Sequence, residues 1–191
     1  ALIEFSNYCK EGCYYCGINR NKTSVHRFRL SKEEIYSAAE TAYEAGFRTF
    51  VVQGGEDTQF TDDDFAEIIS HLRKNYDAAI TLSLGVRSYE AYKMFKDAGA
   101  DRFLLRHETA DSGAFAKLHP ADQSLEHRLE AIYNLKELGY QVGTGFMVGA
   151  PFTSVETHIK DIKLIREIDP AMIGIGPFIP SKGTRFESYP H

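Results

Sequence analysis

Six short apolar runs divide this chain: Leu2–Phe5, Thr49–Gln53, Ile80–Leu84, Arg102–Leu105, Val142–Val148 and Met172–Gly176. Longer amphipathic segments of helical length separate them. A strand-then-helix unit repeated about six times implies right-handed crossovers, and therefore a parallel sheet. The helix boundaries are also written in the sequence. Ser31-Lys32-Glu33-Glu34 is a capping box, in which the serine and the glutamate each satisfy a backbone N–H at the helix start. That helix is predicted to run to about Glu44 and to stop at Gly46. Thr61 precedes three aspartates, which suit the positive end of a helix dipole. Ser88, Ser124 and Ser154 open three more helices. The one from Ser124 carries Leu125, Leu129, Ile132 and Leu135 on one stripe, and the one from Ser154 carries Ile159, Ile162 and Ile165 and ends before Pro170. Gly46, Gly99 and Gly139 fall between a helix and the next strand, where a left-handed exit favours glycine.

An open doubly wound sheet and a barrel share this pattern, and the loops separate them. In a barrel, the chemistry collects at the carboxyl ends of the strands. Distinctive residues follow every predicted strand here, so the expected architecture is α/β: an open, partial (β/α)6 TIM-like barrel with parallel strands.

All three cysteines lie in the first of these loops, as Cys9-Lys10-Glu11-Gly12-Cys13-Tyr14-Tyr15-Cys16, a C-x3-C-x2-C spacing. Three thiolates on one short loop can hold three irons of a four-iron, four-sulfur cluster, leaving the fourth iron free to bind a small molecule. Two other readings stand beside this one. The same thiols with His26 make a zinc set, or all three are inert buried thiols. A disulfide framework needs an even count and a secreted chain. Free thiols poised for metal suit a reducing cytoplasm. A net charge of −5 argues against nonspecific nucleic-acid binding, and no apolar run approaches the ~18 residues of a membrane span. The chain does not begin with Met, opens directly on a predicted strand and ends soon after the sixth. The expectation is one core domain over residues 1–191, cut from a longer chain.

The remaining rim residues read as a ligand site. Gly54 and Gly55 let backbone approach a ligand closely, or simply make a tight turn; Glu56 orients that loop. Arg106 and Glu108 alternate with His107 in an extended segment, so the two charges share one face and His107 points toward the helix layer or a neighbouring loop. An arginine fork suits a carboxylate, although such a pair is also a common structural ion pair. Arg128 lies near the start of the helix after strand four, within reach of the rim. His119-Pro120 ends a short helical stretch. Gly143, Gly145, Gly174 and Gly176 weaken their strands, which points to something approaching their backbones, while Phe146 and Met147 have core as their default role.

These stretches together resemble the radical S-adenosylmethionine (SAM) superfamily along the whole 191 residues, and within it the biotin-synthase-like branch. The segments Ala98–Thr109 and Met172–Pro180 are similar to the family of HydE-type maturases of iron-only (FeFe) hydrogenases. The resemblance implies that Cys9, Cys13 and Cys16 ligate a 4Fe-4S cluster and that SAM chelates the open iron. It places Tyr15 near the adenine and Gly54, Gly55 and Glu56 at the SAM amino group. Glu108 faces the ribose or methionine part, and Arg128 the SAM carboxylate. Gln53, Thr81, Ser83, Arg106 and Met147 line the cavity for substrate and cofactor. It implies reductive cleavage of SAM to a 5′-deoxyadenosyl radical, with Arg106 and Glu108 at the reacting centre. The implied substrate is a small molecule or iron–cysteine complex. The implied partners are a reductant such as ferredoxin or flavodoxin and partner maturases. Methylornithine synthase and biotin synthase share this SAM site, and a metal-binding scaffold module is the non-enzymatic alternative.

Overall fold

The computed structural model describes residues 1–190. Its six strands are β1 (Leu2–Ser6), β2 (Thr49–Gly54), β3 (Ala79–Ser83), β4 (Arg102–Leu104), β5 (Gln141–Val148) and β6 (Met172–Pro177). Its helices are α1 (Lys32–Glu44), α2 (Asp62–Asn75), α3 (Tyr89–Asp97), α4 (Ser112–Leu118), α5 (Leu125–Glu137) and α6 (Val155–Ile168). All five strand pairings are parallel, and the spatial order is simply β1-β2-β3-β4-β5-β6. A doubly wound sheet reverses its strand order at a switch point. No reversal occurs here, so the sheet is wound in one sense, as a barrel wall is. The strands fall within a residue or so of their predicted bounds.

The caps form as their chemistry requires. Ser31 with Glu34, Thr61 with Asp64 and Ser154 with Thr157 make complete capping boxes. Ser88 and Ser124 each accept an N–H from the first turn of their helices. The short stretch before His119 is α4, an extra helix of about two turns between β4 and α5, capped by Asp111.

Strand alternation sorts the side chains into two sets. Ile3, Phe5, Phe50, Val52, Ile80, Leu82 and Phe103 point outward and are buried with Ile35, Phe65, Leu72, Phe95 and Ile132 of the helices. The opposite face is polar and layered by the strand register. Glu4, Gln53 and Ser83 stand side by side in the upper layer. Val51, Thr81 and Arg102 form the layer below. One helix departs from the expected pattern. α6 buries Thr157, Asp161 and Ile168 and leaves Ile159 and Ile162 exposed, beside the equally exposed Ile173 and Ile175 of β6. No helix among the described residues is long and apolar enough to cross a membrane.

Candidate active site

The loop after β1 is held at both ends. The Arg27 guanidinium donates to the carbonyls of Ile18 (2.8 Å), Asn19 (2.8 Å) and Lys22 (3.1 Å), and also to that of Asn7. One cation therefore cinches residues on either side of the three cysteines. Below it, buried Asp57 accepts from Ser6 Oγ at 2.6 Å and from both arms of Arg29 at 2.5 and 2.8 Å. Burial alone would push the Asp57 carboxyl up, but these donors bring it below its ordinary value. The loop after β2 is thus tied to the base of the cysteine loop by a charge-assisted fork.

Gly55 lies where the two loops touch. A Cβ there would stand 2.1 Å from Tyr8 O and 2.8 Å from Cys9 Cβ, and the former is backbone that cannot step aside cheaply. The glycine is required by the approach of the cysteine loop, independently of any ligand. Gly55→Ala is expected to cost about 1–3 kcal/mol as an overpacked contact, and to lower iron bound per chain after reconstitution. Thermal melting and iron assay check both; an unchanged melt would remove the contact from the argument.

A third support comes from α4. Tyr14 N donates to Leu118 O at 2.9 Å. The Tyr15 ring meets His119 edge-on at 5.4 Å, and His119 stacks on Phe115 at 3.9 Å. His119 Nδ1 lies 3.0 Å from Phe115 O, a pure acceptor, so Nδ1 carries the proton and Nε2 accepts from the Tyr15 hydroxyl at 3.2 Å. Burial, aided by the positive charge of Arg128, lowers the His119 pKa to about 4. The unfolded chain protonates His119 near 6.5, so it binds that proton before the folded chain does. Stability held above pH 6.5 is therefore lost as pH falls toward 4, by about 3 kcal/mol. Melting temperatures between pH 7 and pH 4 should fall more steeply for the native chain than for His119→Gln; equal slopes would contradict the neutral, donor-satisfied histidine.

These supports frame a cavity of about 360 Å3 at the carboxyl ends of the strands. Its walls include Cys9, Cys13, Cys16 and Tyr15 from the first loop, and Gln53, Gly54, Gly55 and Glu56 from the second. Ser83, Arg106, Glu108 and Arg128 complete them. Two expected residues stand elsewhere. Thr81 is buried one layer below Ser83, roughly 7 Å further down the strand. Met147 packs with Leu118, Ala150, Phe178 and Phe186 behind Tyr15, so it backs that ring rather than the open space.

Charge within the cavity is strongly organised. Glu108 has a left-handed backbone, φ 67°, fixed because its N–H donates to Gly145 O (3.0 Å) and its carbonyl accepts from Met147 N (3.2 Å). Strain of this kind in a non-glycine residue is characteristic of functional sites. Burial pushes its carboxyl up against the opposing pull of Arg106 and Arg128. Arg106 Nη2 lies 3.4 Å from Glu108 Oε2, too long and poorly aligned for a hydrogen bond. Arg106 Nε and Nη2 and Glu108 Oε2 are buried without hydrogen-bond partners, an arrangement suited to a polar ligand. Arg128, in the first turn of α5, donates to Arg106 O at 3.1 Å. Glu56 is raised by burial and by the neighbouring Glu11. Its carboxyl seats over Gly85, whose φ of 74° and missing Cβ make room for it. A second cavity of about 360 Å3 shares Glu11, Glu56 and Arg128 and opens beside the amino end of α5.

His107 points the other way. Its Nδ1 is 3.0 Å from Thr144 Oγ1 and its Nε2 is 3.4 Å from the buried Asp161 of α6, which also accepts the Ala110 N–H and faces His158 at 3.1 Å. Asp161 and Arg27 are structural supports of the site that residue patterns did not single out.

The thiols fit a cluster with three cysteine ligands. All three are free and open onto one cavity. Burial raises all three thiol pKa values, that of Cys13 to about 12, so ligation has to displace protons.

A family model described as the radical SAM superfamily matches residues 3–165. The chain belongs to the radical SAM superfamily. Membership brings that superfamily's cofactors, a 4Fe-4S cluster and SAM. The FeFe hydrogenase maturase subunit HydE of Thermotoga maritima is 45% identical over 184 residues, covering 96% of this chain and 52% of that protein. The 3-methylornithine synthase of Methanosarcina acetivorans is 31% identical over 190 residues, covering 98% and 53%. The crystal structure of methylornithine synthase superposes with a TM-score of 0.93 at 29% identity, covering 99% of this chain and 56% of that one. The chain spans about half the length of the curated relatives it matches.

Proposed function

We propose that this chain is the SAM-binding core of a radical SAM enzyme that acts in FeFe-hydrogenase maturation, in the manner of HydE. The observation that carries the proposal is the meeting of three free thiols, a glycine loop and an unsatisfied Arg106–Glu108 pair on one cavity. The 45% identity to HydE, against 31% to methylornithine synthase, favours the maturase over the second reading.

Cys9, Cys13 and Cys16 would hold the cluster, and Gly54, Gly55 and Glu56 would receive the SAM amino group. When bound, the cluster and SAM supply one-electron cleavage of the sulfonium, giving methionine and a 5′-deoxyadenosyl radical. The protein's part is binding, orientation and exclusion of water. Arg128 neutralises the SAM carboxylate from the first turn of α5. Glu108, held in its strained turn, accepts hydroxyl protons of the ribose. Arg106 presents its unspent N–H groups to an anionic substrate, an iron–cysteine complex in this reading, alongside Gln53 and Ser83. Thr81 supports that wall from below, and Met147 fixes the face of Tyr15 that meets the adenine. A low-potential reductant such as ferredoxin or flavodoxin, and partner maturases, complete the setting; three free thiols support a reducing, cytoplasmic one.

The test is anaerobic reconstitution of the full-length protein with iron and sulfide, then reduction with dithionite and EPR with and without SAM. A four-iron signal that shifts on SAM addition, with 5′-deoxyadenosine in the products, is the expected result. A cluster indifferent to SAM overturns the proposal.

A further inference from the structure

In the proposed reading the cluster takes up one electron before SAM is cleaved, and that electron reaches it through the protein surface nearest the cysteine loop. We infer that an acidic one-electron carrier protein docks on a basic face formed by Lys22, Lys117, Lys182 and Arg185, directly outside Cys13–Gly17. The inference rests on the proposed cluster site.

The chain carries a net charge of −5, yet residues 7–30 hold five Lys or Arg against a single acid, Glu11. The segment after β6 folds back onto this loop and adds two more cations. Arg185 N donates to Tyr14 O at 3.2 Å, and its guanidinium lies over the Tyr14 ring at 4.9 Å. A Cβ on Gly17 would meet Ser181 Oγ at 2.5 Å, and one on Gly183 would meet Lys22 Nζ at 2.8 Å, so the two segments are in contact along their length. Lys117 joins the same face. It lies 5.1 Å over the exposed Phe152 ring, which packs edge-on against Phe186.

The other cations of this region are already committed. Arg20 pairs with Asp122, Lys10 with Glu56 and Glu11, Arg29 with Asp57, and Arg27 is occupied by carbonyls. Lys22, Lys117, Lys182 and Arg185 form no ion pair among the described residues. The nearby carboxylate of Glu187 accepts the Gly183 N–H. Lys117, Lys182 and Arg185 are exposed. A cluster of unpaired cations, with the exposed Phe152 ring under one of them, on a chain of net charge −5, complements an acidic partner. Charges of this kind act mainly on encounter rate and are screened by salt. In the encounter one electron leaves the carrier and enters the cluster, with no bond made or broken.

The experiment uses the full-length protein, a reduced plant-type ferredoxin as probe, and the variant K22E/K182E/R185E. Calorimetric titration of the ferredoxin onto the protein before cluster loading reads docking alone. Stopped-flow absorbance after loading reads cluster reduction. Docking should weaken at least tenfold in the variant, and the native rate should fall steeply between 50 and 300 mM salt, roughly as expected for steered association. Reduction by dithionite and dithionite-driven 5′-deoxyadenosine formation should be unchanged. Equal ferredoxin binding and equal, salt-insensitive rates in both proteins would overturn the docking face. A native protein that fails to cleave SAM even with dithionite would instead sink the cluster reading.

Discussion

Cys9→Ala, Cys13→Ala and Cys16→Ala each reduce SAM-dependent 5′-deoxyadenosine formation to background, and each lowers iron bound per chain after reconstitution. The expectation follows from how the three thiols are placed. They share one cavity wall, and the loop that bears them is fixed at three separate points: by Arg27 across its ends, by Asp57 and Arg29 at its base, and by His119 against Tyr15. A loop so held cannot recruit a substitute ligand. His26, the imidazole considered for a zinc site, is exposed, and its carbonyl accepts from Asn7 Nδ2 at 2.8 Å. The variants should fold, because each removes a partly buried thiol that makes little packing contribution, so circular dichroism should be unchanged while iron and activity vanish. Full iron content and activity in all three variants would end the cluster assignment. Tight binding of one zinc per chain, with no sulfide incorporated, would revive the scaffold reading.

Much of the architecture was legible because it rests on local rules. Period-two alternation set the strand faces, and Ser31, Thr61, Ser88, Ser124 and Ser154 each cap the helix they precede. Arg106 and Glu108 do meet on one cavity and His107 does turn away, but β4 ends at Leu104 and Glu108 takes a left-handed turn rather than continuing the extended alternation. What could not be read depends on contacts between distant segments. Nothing in the sequence near Asp161 says that its carboxylate is buried against Ala110 and His107. The isoleucines of α6 read as a core stripe, whereas that helix leans on the sheet through Thr157, Asp161 and Ile168. The glycines of β5 and β6 were read as a place of close approach. The approach at Gly145 is that of the neighbouring strand, since a Cβ there would meet Gly174 O at 1.8 Å. Cavity depth is equally nonlocal. Thr81 and Ser83 share a face, but only the register with β2 and β4 shows that Ser83 reaches the rim and Thr81 does not.

Arg106→Ala separates the two tasks of the cavity. Turnover of the true substrate should fall about 100- to 1000-fold, the cost of losing one preorganised charged donor at a reacting centre. SAM cleavage should fall less than about tenfold, as expected of a group outside the SAM subsite. The split follows from the geometry. Arg106 shares the cavity with the thiols and the glycine loop but makes no hydrogen bond to either, and its Nε and Nη2 atoms are buried without partners. Those atoms have hydrogen bonds to give only to something placed in the cavity. Removing them leaves Glu108 with Arg128 as its remaining cation, and burial already pushes that carboxyl up. Its pKa should therefore rise further, so the residual activity of Arg106→Ala should gain with increasing pH more than the native activity does. Arg106→Lys restores the charge without the fork and should recover only part of the loss. The decisive quantity is the ratio of 5′-deoxyadenosine formed to substrate consumed. A ratio that climbs in Arg106→Ala assigns the residue to substrate. A ratio that stays constant while both rates fall together would place Arg106 on SAM, and the anionic-substrate reading of this wall would have to be given up.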